Sequence, residues 1–225
     1  MKNLELNKIH NIDCLAFMKT LPDKCIDLVL TDPPYGMNYQ SSRRTATKQF
    51  EKVEQDTNID WFPEFIKECF RILKDDRHIY IFCNDYAISE FRNYTEKVGF
   101  TPKRALVWVK NNHTSGDLQG DYANKTEFIV YAQKGRRLLA GGRDTNVLYF
   151  DRVSDLRHPT EKPEDICTYL INKSSEPEEI VFDPFMGSGT TLVSAKNNKR
   201  NYIGCEISAE YCEIAEKRLS QGNLF

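Results

Sequence analysis

Apolar residues along this chain come in two alternating rhythms. In one, short runs are apolar at nearly every position, as expected of strands covered on both faces. "CIDLVLT" (25–31), "HIYIFC" (78–83), "EIVFDPF" (179–185) and "NYIGCEI" (201–207) read as such strands, and "NKIHNID" (7–13), more polar, looks like a short strand running into a turn. In the other, apolar positions recur at helical spacing. "CLAFMKTL" (14–21), "WFPEFIKECFRIL" (61–73), "DYAISEFRNYTEKVG" (85–99), "PEDICTYLIN" (163–172), "TTLVSAKNN" (190–198) and "AEYCEIAEKRL" (209–219) read as helices. Gly99 closes the third, and Pro163 opens the fourth where its missing N–H costs nothing. The alternation predicts an α/β sheet with helices on both faces.

The rhythm changes in the middle. "RALVWVK" (104–110) and "TEFIVYAQ" (126–133) are two strand-like runs with a polar stretch between them. Residues 134–160 read mostly as loop, from their glycines and charges. Residues 36–60 also fit neither pattern. Long loops in a compact domain are commonly functional.

Composition narrows the field. The 225 residues suit one domain spanning 1–225. The net charge of −2 excludes a general polycation, so any nucleic-acid contact must use a local basic patch. Seven cysteines, an odd number with no C-x-x-C pair, argue against a disulfide framework or a zinc knuckle, and no metal site is expected. They suit a reducing cytoplasm. The N-terminal residues form no apolar signal core, and no run is long enough to span a bilayer.

Two stretches carry chemistry. In "VFDPFMGSGTT" (181–191), Gly187, Ser188 and Gly189 make a tight turn between a strand and a helix opened by Thr190. The turn lies at the carboxyl end of a strand, where open α/β sheets bind ligands. Asp183 would repel a phosphate, Thr190 stands where a P-loop needs lysine, and Leu192 stands where a dinucleotide fingerprint needs its third glycine. Glu206, nineteen residues beyond Gly187 at the next strand end, is spaced to hold ribose hydroxyls. A ligand with a ribose, a cationic group and no phosphate fits, and S-adenosylmethionine meets that description. The second stretch is Asp32-Pro33-Pro34-Tyr35, an acid and an aromatic ring joined by two prolines that stiffen the backbone at a strand end.

Together the two stretches resemble the amino-group DNA methyltransferases, in their beta-class order with the Asp-Pro-Pro-Tyr tetrad first. "HPTEKP" (158–163) and the acid after the first strand, Asp13, match further motifs, so the resemblance runs from about 7 to 219. It implies a Rossmann-like S-adenosylmethionine-dependent methyltransferase fold, circularly permuted, with a mostly parallel seven-stranded sheet containing one antiparallel strand. It implies S-adenosylmethionine as the cofactor, with Asp13 and Phe185 beside its adenine and Thr160 and Lys162 at its methionine end. His158 is as much a structural hydrogen bonder as a contact.

The tetrad's chemistry follows from its residue types. An exocyclic amine is a poor nucleophile because its lone pair is delocalised into the ring. Asp32 and the Pro33 carbonyl can each accept a hydrogen bond from it, drawing the nitrogen towards a pyramidal form. The prolines hold those acceptors rigid, and Tyr35 offers a stacking face to a flipped base. Aspartate in the first position favours adenine N6. Cytosine N4 is the nearest alternative, and a non-catalytic nucleic-acid-binding module with a relict cofactor site is a third reading. Double-stranded DNA is the expected partner, and the resemblance favours a homodimer. Target recognition is expected from loops at about 36–60 and 111–158: Arg43, Arg44 and Lys48 form a DNA-binding cluster in a loop placed to fold over the flipped base, and Arg136, Arg137 and Arg143 lie in a local excess of positive charge that suits phosphate contacts.

Overall fold

A computed structural model describes residues 4–34, 59–113, 119–120, 122–153 and 161–221. Its strands are β1 (Lys8–Asn11), β2 (Ile26–Thr31), β3 (Leu73–Cys83), β4 (Thr101–Pro102), β5 (Leu106–Val109), β6 (Thr126–Lys134), β7 (Val147–Tyr149), β8 (Ile180–Asp183) and β9 (Asn201–Glu206). Its helices are α1 (Cys14–Met18), α2 (Phe62–Ile72), α3 (Ile88–Lys97), α4 (Glu164–Ser174), α5 (Thr190–Asn197) and α6 (Ala209–Ser220). All the strands join one sheet in the order β1-β9-β8-β2-β3-β6-β5-β7, with β4 also paired to β6.

The sheet has nine described strands where seven were expected. The expected seven are present. The additions are β4, two residues long, and β7, three residues long inside the stretch read as loop; neither is long enough to show a period. β4 and β5 pair with successive parts of β6, so they lie in line along its far edge. Only β6 runs against the rest, antiparallel to β3, β4 and β5. The last strands of the chain, β8 and β9, sit beside the first two, β1 and β2. This is the permuted arrangement that the late glycine turn implies.

Strand side chains alternate between two cores, as the pleat requires. Ile79, Ile81 and Cys83 of β3 face the core under α1, α2 and α3, while Tyr80 and Phe82 face the one under α4, α5 and α6. β2 is buried at every position, as a strand covered on both faces must be, with Asp27 buried among its apolar residues. The helices are fixed by local chemistry. Asp13 caps α1 by accepting from the Ala16 N–H at 2.9 Å, and Ser208 caps α6 by accepting from the Tyr211 N–H. Gly99 ends the α3 region at φ +110°, with the Phe70 ring so close that a Cβ would lie 3.1 Å from it. Every cysteine is an unpaired thiol.

This topology gives the sheet two chemically different ends. The carboxyl ends of β1, β2, β8 and β9 carry Asp13, Asp32, Asp183 and Glu206 on one side of the molecule. The antiparallel β6 brings its first residues to that end and carries its last to the other.

Candidate active site

Four elements converge beyond the carboxyl end of β2. Asp32 follows β2, Lys110 follows β5, Glu127 lies at the start of β6, and Lys162 precedes α4. Lys162 Nζ donates to Asp32 Oδ2 at 2.6 Å and lies 3.2 Å from Glu127 Oε2. Lys110 Nζ donates to Glu127 Oε1 at 2.6 Å. Charges therefore alternate along the row Asp32, Lys162, Glu127, Lys110. Each ammonium also lies over an aromatic ring, Lys162 5.1 Å from Phe82 and Lys110 5.2 Å from Trp108. The other oxygen of Asp32, Oδ1, is buried and has no hydrogen-bond partner among the described residues.

Burial and pairing compete at each acid. Burial pushes the Asp32 carboxyl up, Lys162 draws it down and Glu127 pushes it up again, leaving it at about 6. Burial also acts on Glu127, but Lys162 and Lys110 outweigh it and hold Glu127 below the usual carboxylate range.

Beside Asp32 lies the glycine turn. β2 and β8 are paired in parallel, Val29 opposite Phe182, so Thr31 and Asp183 end neighbouring strands. Asp183 is buried and accepts from the Phe185 N–H at 3.1 Å. Burial raises it to about 7 despite hydrogen bonds from Thr191 and Phe185, and the nearby Asp32 charge adds to the rise. Gly187 and Gly189 adopt φ +51° and +83°, and Gly189 caps α5. A Cβ on Gly189 would lie 2.7 Å from the Ala215 Cβ, so this turn is pressed onto α6. Arg218 of α6 holds it there, donating to the Ser188 carbonyl at 2.9 Å and to the Ser188 and Thr190 hydroxyls at 3.1 Å. Glu206 accepts from the Gly187 N–H at 3.1 Å and the Ser208 N–H at 2.8 Å, and burial raises its carboxyl. Asp13 follows β1, whose Asn11 pairs with Glu206.

The donor set suits the ligand read from the sequence. Asp183 has hydroxyl and N–H partners, and a ligand cation would favour its charged form. The two Glu206 oxygens each keep acceptor capacity for ribose hydroxyls. The half-buried Phe185 ring, 5.3 Å from Trp61 and 5.4 Å from Phe65, offers an aromatic wall.

Thus Asp32, Pro33, Pro34, Asp183, Phe185, Gly187, Ser188, Gly189, Thr190, Glu206, Asp13 and Lys162 all gather at the carboxyl end of the sheet. Lys162, which the resemblance puts at the methionine end of the cofactor, stands against Asp32 in this structure. Tyr35, Arg43, Arg44, Lys48, Thr160 and His158 lie outside the described residues.

Three residues expected at DNA phosphates fall at the opposite end of the sheet from Asp32. Arg136 and Arg137 follow the last residue of the antiparallel β6, which delivers them to the amino end of the sheet. There Arg137 forms a bidentate pair with Glu179 at 3.0 and 2.8 Å. Arg143 lies near the end of α4, where Lys173 donates to the Gly142 carbonyl at 3.1 Å. All three line a cleft of about 1030 Å³, together with Lys103, Arg104 and Lys173. Arg152, by contrast, comes after β7, where its N–H donates to Asn111 Oδ1 at the catalytic end.

Glu127 and Lys110 escaped the sequence reading. A signal was present: each is a charge abutting an apolar strand run, "LVWVK" and "TEFIVY", where an uncharged residue would extend the run at no cost.

A model of the N6/N4 DNA methylase family matches residues 26–152 and 141–217. The DNA adenine methyltransferase YhdJ of Escherichia coli (strain K12) is 32% identical over 252 residues, covering 96% of this chain and 83% of YhdJ. The crystal structure of the M1.HpyAVI–SAM complex superposes with a TM-score of 0.75 at 28% identity, over 95% of this chain and 99% of that one. The cytosine-N4-specific PvuII DNA methyltransferase shares the fold, with a TM-score of 0.80 at 19% identity over 99% and 89% of the two chains.

Proposed function

The chain belongs to the N6/N4 family of DNA methylases and uses S-adenosylmethionine, and within that family we propose that it methylates the exocyclic N6 amine of adenine. The observation that carries amine methylation is the buried Oδ1 of Asp32, which has no hydrogen-bond partner among the described residues and is held beside the glycine turn by an ion pair to its sister oxygen. An aspartate in that position and the adenine specificity named for YhdJ both favour adenine over cytosine.

The cofactor, when bound, supplies a methyl group on an electron-poor sulfonium. Asp183, Phe185, Gly187 and Glu206 would hold it. The chain's own task is to make a weak nucleophile reactive. Asp32 Oδ1 accepts one hydrogen bond from the amine, and the Pro33 carbonyl accepts the other. Both acceptors are set in place before the base arrives, so little reorganisation accompanies the reaction. Lys162 keeps Asp32 from rotating and favours its charged, accepting form. Asp32 need not be a strong base, because the amine becomes acidic once methylated and can shed its proton afterwards. The target base must leave the duplex to reach this pocket, and Tyr35 would stack on it.

In this reading residues 1–225 form one catalytic domain. The stretches 36–60 and 111–158 read the target, and a second copy of the chain supplies further DNA-facing surface. The test is incubation of the protein with methyl-labelled S-adenosylmethionine and mixed-sequence duplex DNA, followed by nucleoside analysis. Label in N6-methyladenine is the expected result. Label in N4-methylcytosine would replace adenine with cytosine, and cofactor binding without transfer would overturn the catalytic reading.

A further inference from the structure

The proposed mechanism uses Asp32 and Lys162 but leaves two buried charges idle. Glu127 of β6 pairs with Trp108 of the antiparallel β5, and Lys110 comes directly after Val109, the last residue of β5, which pairs with Thr126. They cannot reach solvent freely: the side chains of Lys110 and Glu127 are 9% and 17% exposed. A structural ion pair between two adjacent strands needs no third member, yet Glu127 turns its second oxygen to Lys162, which comes from a different part of the chain. Lys162 in turn has two anions to satisfy, at 2.6 and 3.2 Å. Without Glu127, Lys162 would lose one of the two anions that share its charge, and its pull on Asp32 would grow.

We propose that Glu127 is a positioning residue for methyl transfer: anchored by Lys110, it holds and partly neutralises Lys162, so that Asp32 is fixed through Oδ2 while Oδ1 stays electron-rich for the amine. The inference rests on the amine-activation reading of Asp32. Its logic is electrostatic. A carboxylate clamped by an undivided ammonium is a poorer acceptor, and a carboxylate with no ammonium beside it is free to rotate and to take up a proton. The row of alternating charges places Asp32 between these extremes. The groups acting on Asp32 are Lys162 from the segment before α4, Glu127 from β6, Lys110 just after β5, Asp183 from β8, and the buried thiols of Cys83 and Cys167, both of which sense its charge.

The experiment is a pH profile of kcat, at saturating cofactor and DNA, for the wild type, E127Q, E127D and K162Q, with the unfolding midpoint of each measured alongside. Removing Glu127 deletes a like charge that raises the Asp32 pKa, so the acidic limb of E127Q should move to lower pH by about one unit. Removing Lys162 deletes the opposite charge that lowers it, so the limb of K162Q should move to higher pH. E127Q should lose about tenfold to a hundredfold in kcat, with KM for DNA little changed, because geometry and acceptor strength are altered rather than binding. E127D keeps the charge on a shorter arm and should restore the wild-type limb even where the rate stays low.

A purely structural pair would slow both variants without moving either limb, and that result would overturn the proposal. So would an E127Q enzyme with the wild-type rate and profile. If E127Q does not fold, the limbs of E127D and K162Q still decide: a K162Q limb unmoved or moved to lower pH would refute the row of charges. D32N separates the two levels. Normal transfer by D32N would remove the amine-activation reading itself, whereas an inactive D32N beside an unaffected E127Q would remove only the role of Glu127.

Discussion

An aspartate stands at each end of strand β2, Asp27 within it and Asp32 just after it, and the two are treated in opposite ways. Near the amino end, Asp27 is 2% exposed and has every lone pair occupied. Its Oδ1 accepts from Lys74 at 2.9 Å and Arg77 at 3.0 Å, and its Oδ2 from Lys74 at 2.8 Å and the Ile180 N–H at 3.0 Å. Burial alone would raise its carboxyl, but Lys74, Ile180 and Arg77 outweigh that and hold it below the usual carboxylate range. Five residues further on, Asp32 has one oxygen bonded and one bare, and its pKa is pushed up to about 6. A fully satisfied carboxylate fastens strands together. In the proposed mechanism one that is half satisfied, beside the glycine turn, keeps a lone pair for the substrate at the expense of the fold.

The strongest challenge to that contrast is D32N, which preserves shape and removes the charge. Methyl transfer should fall by about a hundredfold or more, the scale of removing one preorganised electrostatic contact, while cofactor affinity stays near wild type. Stability should move the other way. The Asp32 pKa is raised from 3.8 to about 6 by folding, so the folded protein binds the proton more tightly than the unfolded chain does. Ionised Asp32 therefore costs stability above about pH 6, and the cost disappears as the pH falls towards 4. Differential scanning calorimetry at pH 8 should find D32N melting higher than wild type, with the gap closing in acid. An active D32N, or one that melts lower at pH 8, would erase the distinction between the two aspartates.

D27N should do the reverse. Removing one partner of a buried ion cluster costs about 3 kcal/mol, so the melting temperature should drop by roughly 6–12 °C for a chain of this size. Measured well below that transition, kcat should stay within about twofold of wild type, a small multiple of the experimental error. The sign again follows from linkage. A depressed folded-state pKa gives stability that is complete above the ordinary carboxylate value and is lost as the pH falls through the folded value, so wild type and D27N should converge in acid. A loss of kcat as large as that of D32N would mean that the two ends of β2 are coupled.

The same strand shows what a sequence can disclose. Asp32 was legible because two prolines and a tyrosine mark it, and Asp183 and Glu206 because a glycine turn sets their spacing. The alternation of strands and helices was legible because burial on both faces enforces it. Asp27 and Asp32 are not distinguishable by residue type: what separates them is the company of Lys74, Arg77 and Ile180, brought together by sheet pairing. Glu127 and Lys162 are likewise partners through topology alone. Strand β7 was hidden because three residues carry no period. The end of the sheet at which Arg136, Arg137 and Arg143 fall was not legible, because it depends on β6 running antiparallel, a fact that only the assembled sheet supplies.

That last point separates the ends of the molecule by their salt response. Deleting one cation that neutralises a phosphate lowers the slope of log affinity against log salt by about 0.9 for duplex DNA. If DNA approaches the end that carries Asp32, R152A should reduce the slope by about that amount, since Arg152 follows β7 beside Asn111 at that end. R143A, at the cleft by the other end, should leave both slope and affinity unchanged on a duplex long enough only to cover the catalytic face. Fluorescence anisotropy across a salt series reads both variants on one probe. The effect is small in energy, but its assignment is sharp. A reduced slope for R143A would bring DNA round to the amino end, and the cleft lined by Arg104, Arg136 and Arg143 would join the substrate path instead of standing apart from it.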